Sequence, residues 1–150
     1  MKKENQEIIS QLIAEIEKLI PVYMQNEEDR VLNNGNVAIC IIDNEGMIYG
    51  KIFGTDRIKG RDVFRIAWTK ASQTWITGIS TGEFERLVFN GVIDESTYGI
   101  RKPDYIGWIG GQPITLQDGT TFYAGFSGFR GVTDLEIVIN GLSMLEKNTN

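Results

Sequence analysis

The sequence contains no histidine and a single cysteine, Cys40, among its 150 residues. Without histidine, neither a Ser-His-Asp triad nor a Cys-His pair can form, and one cysteine cannot build the usual zinc site. A single cysteine also excludes a disulfide within the chain. Because Cys40 lies in an apolar run, we interpret it as a small core residue rather than a reactive thiol. The sequence therefore favours a protein without catalytic residues and without a metal site.

Long apolar runs are absent too. No stretch approaches the ~18 apolar residues of a membrane-spanning helix, and the N-terminal segment MKKENQEIIS lacks the apolar centre of a signal peptide. The formal net charge is −5, which argues against nucleic acid as a partner because phosphate binding needs a basic surface. We expect a cytoplasmic protein that binds neither membranes nor nucleic acid.

Positive charge is nevertheless concentrated locally. Residues 51–70 contain six basic side chains against Asp56 and Asp62. Two interpretations remain open at this point. The basic residues form a solvated face with neighbours one helical turn apart, or they form a patch for a small anion.

The order of the predicted elements indicates the fold class. Apolar periodicity, turn residues and capping patterns predict, in chain order, a helix over 4–20 that Pro21 ends or kinks, a polar loop over 26–36, a hairpin of strands 37–43 and 47–53, a helix over 61–77, a short helix after Ser80, a hairpin of strands 113–117 and 121–127 around Asp118-Gly119, and a helix over 134–147. Two hairpins need helices to cover their sheet. We therefore predict one α+β domain that spans residues 1–150, with helices flanking an antiparallel sheet.

Two of the predicted helices have faces that matter for function. In the helix over 61–77, Trp68 and Trp75 share a face with Phe64 and Ala71, which is typical of core packing. Lys70 lies at the margin of this stripe, so we expect a buried stem and an amine that reaches outward. In the last helix, Ile137 and Met144 lie opposite the main apolar arc and are predicted to be exposed or to form a subunit contact.

Polar residues cluster where the last strand meets the last helix. Ser127 to Gly131 read SGFRG, and the free N–H groups at the start of a helix, together with Arg130, could hold an anion. Alternatively, these glycines only form the turn. The carboxylates Asp43, Asp62, Asp118 and Asp134 are predicted in turns or caps, so a paired-acid glycosidase is not expected.

Several short motifs, in a fixed order, resemble one known family. They are VAICIIDNEG in 37–46, Lys70-Ala71, Thr81, GGxPI in 110–114, Asp118-Gly119, GFSG in 125–128, Asp134, and Gly141-Leu142. Together they resemble the haem-degrading domains, also called the GlcG/HbpS-like family, which includes the C-terminal domain of PduO-type adenosyltransferases. The clear match spans about 37–142, and residues 1–36 lie before it as an N-terminal helix and loop. The resemblance implies a profilin-like fold with about five antiparallel strands, the fifth near Ile106–Ile109.

The resemblance also implies what the protein does. Family members include small haem-binding proteins that form oligomers, and many have no assigned activity. We therefore expect a homo-oligomeric domain that binds or senses a small, anionic ligand without catalysing a reaction. The predicted ligand-binding residues are Lys70, Gly110, Gly111, Ser127, Gly128 and Arg130.

Two alternatives accompany this prediction. Haem is the cofactor that the family suggests, but its members have used histidine as the iron ligand. Iron would here need a different ligand, for which Tyr105, Tyr123, Met47 and Cys40 are available by type. The other alternative is a structural assembly module.

Overall fold

The computed structural model describes residues 2–102 and 104–148. Its elements are, in chain order, α1 (Lys2–Tyr23), α2 (Glu27–Asn33), β1 (Val37–Ile42), β2 (Ile48–Phe53), α3 (Arg57–Thr77), α4 (Thr81–Phe89), a 3₁₀ turn (Glu95–Tyr98), β3 (Gly111–Thr115), β4 (Thr121–Ser127) and α5 (Gly131–Asn148). Both predicted hairpins form. No helix in these two ranges combines the length and the apolar character that crossing a bilayer requires.

The sheet has the order β2-β1-β4-β3, and all its neighbouring strands are antiparallel. Alternate residues of β1 face opposite sides because side chains alternate along a strand. Val37, Ile39 and Ile41 belong to the larger core, which α1 and α5 cover. Ala38, Cys40 and Ile42 face α3 in a smaller core. The predicted α+β arrangement, with helices on both faces of an antiparallel sheet, is therefore confirmed.

The sheet has four strands in the described residues, and the segment predicted as a fifth strand is a loop. The side chain of Gln73 takes the place of a neighbouring strand. Its Nε2 donates to the carbonyl of Ile106 at 3.0 Å, and its Oε1 accepts from the N–H of Ile106 at 2.8 Å. Because this amide satisfies both backbone groups, the loop is anchored to α3 without joining the sheet.

Two differences concern the N-terminal region. Pro21 lies within α1, which continues to Tyr23. Part of the predicted polar loop is α2, whose first turn is capped because Asn26 Oδ1 accepts from the N–H of Asp29. Contacts of Asp29 with α5, described below, hold this short polar helix in place.

The buried face of α3 is not the one that the tryptophan spacing predicts. Trp68 and Trp75 are 44% and 42% exposed, whereas Val63, Ala67 and Lys70 are buried. The close approach of α3 to the sheet explains this difference. The strand register aligns four small residues in one row across the sheet, in the order Gly50, Cys40, Gly125 and Gly111.

Glycine in this row leaves room for the backbone of α3. A Cβ atom at Gly125 would lie 2.2 Å from the carbonyl oxygen of Ala67 and 2.7 Å from the nitrogen of Ala71. No tryptophan fits in so narrow a gap, so Ala67, Ala71 and the stem of Lys70 lie over these glycines and both tryptophans face away.

The prediction for α5 is also corrected. Ile137 is fully buried in the larger core, and only Met144 of the predicted outward pair is exposed. The buried arc is broad because α5 packs against both α1 and β4.

Candidate functional site

Lys70 is the central residue of the site. Its Cβ lies directly above the sheet, and a Cβ atom at Gly111 or at Gly125 would approach it to 2.9 Å. The side chain is only 2% exposed, and its Nζ donates to the carbonyl of Phe126 at 2.8 Å. The prediction that this amine reaches outward is therefore wrong, because the whole side chain is buried and extends toward the end of β4.

Asp134, in the first turn of α5, is the charged partner of Lys70. Its Oδ2 accepts from Lys70 Nζ at 3.1 Å, and its Oδ1 accepts from the N–H of Phe129 at 2.9 Å. The carboxylate therefore caps the turn between β4 and α5, as predicted, and also forms a buried ion pair. That second role was not predicted.

Burial shifts both pKa values of this pair toward each other. Loss of solvent raises the pKa of Asp134 to about 7, although the nearby Lys70 ammonium opposes the rise. Burial lowers the pKa of Lys70, and the Asp134 carboxylate opposes that change. The ionised pair and the neutral pair are therefore closer in free energy than for exposed groups, so a proton can pass between the two side chains.

A cleft of about 680 Å³ opens beside the pair. Its walls are largely apolar, with backbone of the glycine-rich turns between them. It is lined by Leu32, Asn33, Asp62, Val63, Ile66, Lys70, Gly107, Trp108, Ile109, Ser127, Gly128, Phe129, Gly131 and Asp134. An ammonium has three N–H donors, and Lys70 has two acceptors within the described part of the chain. The third donor has no acceptor among the described residues, and Lys70 is part of the lining of the cleft.

The structure brings most of the predicted site residues to this pair. Gly110 touches it, because a Cβ atom there would lie 2.7 Å from Lys70 Nζ and 2.9 Å from Asp134 Cβ. Gly111 lies beneath the stem of Lys70, while Ser127 and Gly128 line the cleft.

Arg130 lies beside this group, but its guanidinium is directed elsewhere. Its Nε lies 3.1 Å from Asp29 Oδ1, and its Nη1 lies 3.2 Å from Glu28 Oε2. Asp29 also accepts from Thr133 Oγ1 at 2.9 Å. Burial acts to raise the pKa of the Asp29 carboxyl, but these hydrogen bonds outweigh it and lower the pKa. Arg130 therefore joins α2 to α5 and does not line the cleft.

Trp108 and Ile109, which line the cleft, were not among the predicted site residues. Thr81 holds their loop, since its Oγ1 donates to the carbonyl of Trp108 at 2.6 Å and accepts from the N–H of Gly111 at 3.2 Å. The position of Thr81 ahead of a short helix was noted in the sequence, but no local pattern connects it with Trp108.

The cleft does not offer the side chains that commonly bind haem iron. Tyr105, Tyr123, Met47 and Cys40 are all absent from its lining. Cys40 is buried under α3, and burial raises the pKa of its thiol to about 12. Tyr105 is hydrogen-bonded to Glu95, and burial, reinforced by that carboxylate, raises its pKa to about 12. Within residues 2–102 and 104–148, no three metal-binding side chains form a group.

Neither a family model nor any curated protein matches this sequence. Solved structures do match this chain in fold. Klebsiella pneumoniae protein ORFY superposes with a TM-score of 0.68 at 18% identity, over 93% of this chain and 88% of that protein. A double mutant of Streptomyces reticuli HbpS superposes with a TM-score of 0.60 at 15% identity, over 93% of this chain and 84% of that one.

A third solved structure is a complex of PduOC with haem. It superposes with a TM-score of 0.64 at 14% identity, over 88% of this chain and 90% of that chain. HbpS and PduOC represent the groups to which the motifs pointed. At these identities the similarity is one of fold, and it leaves the ligand of this chain to be argued from its own residues.

Proposed function

We propose that this chain is a GlcG/HbpS-like domain that binds a small molecule in the cleft beside Lys70 and Asp134, without catalysing a reaction. One observation carries the proposal: Lys70, whose buried ammonium has one donor without a partner in the described residues, lines a cleft of about 680 Å³. Cavities of this size, with apolar walls and a few convergent polar groups, are typical of small-molecule sites.

The charges around the cleft indicate which ligand chemistry it suits. Asp134 offsets the charge of Lys70, and the acids of α2 occupy Arg130. The site therefore does not present the uncompensated positive charge that a multiply charged anion would need. Ser127 makes no side-chain hydrogen bond within the described residues and adds a hydroxyl to the lining. These features support a ligand with an apolar body and one acceptor group, such as a carbonyl or a single carboxylate.

Tryptophan fluorescence can test the proposal, because Trp108 lines the cleft while Trp68 and Trp75 lie on the outer side of α3. A protein with both outer tryptophans changed to phenylalanine would report mainly on Trp108. We expect benzoate or benzyl alcohol to change its emission saturably. Ser127→Ala should weaken binding about fivefold, the value of one neutral hydrogen bond.

Ser72→Ala is the matched control, since Ser72 lies on α3 outside the cleft and bonds only to the carbonyl of Thr69. It should bind like the parent protein. If the folded variants Ser127→Ala and Lys70→Met both bind with the affinity of the parent protein, the proposed site is wrong.

Haem binding is the alternative function, since the structure of PduOC, which has a similar fold, was solved with haem. The absence of the common iron ligands from the lining of the cleft argues against it here. A haemin titration followed by visible absorption should give no stoichiometric Soret shift. A saturable shift that Lys70→Met weakens would instead support haem binding in this cleft.

We also propose that the chain self-associates through an apolar strip formed by Phe64, Trp68, Trp75 and Ile48. Trp75 lies against the turn before β2, which is an edge strand of the sheet, and exposed apolar side chains beside an edge strand are typical of contacts between chains. Light scattering should report an oligomer that Trp68→Ser with Trp75→Ser dissociates. Phe89→Ser, at a residue 86% exposed on α4, is the control and should leave it intact.

A further inference from the structure

We infer that the ligands of this cleft are aldehydes or ketones, which Lys70 holds covalently as a protonated imine on its Nζ. This inference rests on the proposed function, since it names the chemical class of ligand for the same cleft. Three observations carry it: a buried amine, a carboxylate 3.1 Å from that amine, and apolar walls next to both.

The buried pair removes the usual obstacle to imine formation. A lysine amine attacks a carbonyl only when it has lost its proton, and burial with a suitable neighbour is how proteins activate lysine. Here Asp134 can accept the proton of Lys70 across their hydrogen bond. Burial raises the pKa of the acid and lowers that of the amine, which eases this transfer.

The reaction balances without any further reagent. Asp134 takes a proton from the ammonium, and the freed amine forms a C–N bond to the carbonyl carbon, whose oxygen receives the proton back. The nitrogen of this carbinolamine then gives a proton to Asp134, which passes it to the hydroxyl group as that group leaves as water. One further proton remains on the nitrogen, so ammonium and carbonyl have become protonated imine and water. The product is again a cation facing the Asp134 carboxylate.

The surroundings of Nζ favour this adduct. Gly110 adopts a φ of +128°, and a Cβ atom at this residue would lie 2.7 Å from Nζ, so any side chain here would clash with the amine. Trp108, Ile109 and Phe129 line the same cleft. Their apolar surface suits the organic body of the ligand and limits the water that would hydrolyse the imine.

Trapping with cyanoborohydride tests the inference on the full chain. The reagent reduces a protonated imine to a stable secondary amine, and peptide mass spectrometry then measures the labelling of each lysine. With benzaldehyde at pH 7 we expect Lys70 to be labelled at least about tenfold faster than Lys18 and Lys51, because Asp134 lies within hydrogen-bond distance of its Nζ and a positioned proton acceptor typically speeds such a step by about 10²–10⁴-fold. These two lysines are exposed and paired with Glu15 and Glu17, so they serve as internal controls. In urea the difference should disappear.

Lys70→Arg distinguishes covalent capture from a merely structural role. Arginine keeps the charge and the donors but forms no imine in this way. By calorimetry the parent protein should bind benzaldehyde more tightly than benzyl alcohol, and the variant should bind the two equally. If Lys70→Arg does not fold, labelling of Lys70 in the parent protein remains the test.

The outcomes separate the two proposals. Labelling of Lys70 no faster than that of the exposed lysines, with benzyl alcohol still bound, would overturn the imine and leave small-molecule binding in place. Absence of both labelling and binding would overturn both.

Discussion

Gly125→Ala tests the close packing on which the site depends. The added Cβ atom would lie 2.2 Å from the carbonyl oxygen of Ala67, 2.7 Å from the nitrogen of Ala71 and 2.9 Å from Lys70 Cβ. Two of these atoms belong to the backbone of α3, so rotation of a side chain cannot relieve the contacts. The helix must move away from the sheet.

The magnitude follows from the kind of contact. Adding a methyl group to a packed core typically costs about 1–3 kcal/mol, and a clash with backbone belongs at the upper end of that range. We therefore expect a loss of about 3 kcal/mol in the free energy of unfolding. For a chain of this length, 1 kcal/mol shifts the melting temperature by roughly 2–4 °C. The melting temperature should thus fall by roughly 6–12 °C.

The assay is thermal and urea unfolding followed by circular dichroism, with Gly82→Ala as the matched control. A Cβ atom at Gly82 would meet only a side-chain atom of Ile109, at 3.2 Å, and alanine gains up to about 1 kcal/mol inside a helix. The control should therefore be neutral or stabilising. Gly125→Ala should also abolish the fast labelling of Lys70, because α3 carries that amine. Wild-type stability with unchanged labelling would refute the packing argument.

Three further predictions concern the groups around the site. For Asp134→Asn, the folded carboxyl of the parent holds its proton up to a pKa of about 7 against 3.8 unfolded. The stabilising contribution of this carboxyl is therefore complete below pH 3.8 and is lost as the pH rises to 7. In urea titrations, the free energy of unfolding of the parent protein should fall over this range by up to about 1.4 kcal/mol per pH unit, and that of the variant should not. Gln73→Ala should speed hydrogen exchange of the Ile106 amide about tenfold, since it removes both hydrogen bonds between this side chain and the backbone of Ile106. An unchanged exchange rate would mean that these hydrogen bonds do not hold the loop. Asp29→Ala leaves the buried hydroxyl of Thr133 without its acceptor and should cost about 1–3 kcal/mol in urea unfolding, whereas Glu28→Ala, at an exposed partner of Arg130, should cost far less.

The parts of the fold that the sequence predicted rest on local patterns. The hairpin of β1 and β2 was predicted from an apolar run followed by a turn at Gly46, and the hairpin of β3 and β4 from Asp118-Gly119. A strand pair joined by a tight turn depends on few distant contacts. The helices α3, α4 and α5 were recognised for the same reason, from periodicity and capping residues within each segment.

The errors arose where distant residues decide the outcome. A helical stripe analysis assigns the largest apolar side chains to the core, so it placed Trp68 and Trp75 inside. The face of α3 is instead selected by the glycines opposite it, and these align only once the strands have paired. The loop that was predicted as a fifth strand depends on Gln73, 33 residues away from Ile106.

In the candidate site, too, the sequence indicated the residues but not their contacts, and the contacts decide which cation can take part in binding. The motifs indicated both Lys70 and Arg130, since sequence alone cannot tell a free cation from a paired one. Arg130 is partly exposed and engaged by two carboxylates of α2, one of which is held well ionised. Lys70 is buried with one carboxylate, whose pKa of about 7 makes it a weak anion and a competent proton acceptor. An amine with such a partner can exchange its proton, while a guanidinium cannot. The chemistry of this cleft therefore depends on Lys70, and Arg130 contributes by holding α2 against the start of the helix that supplies Asp134.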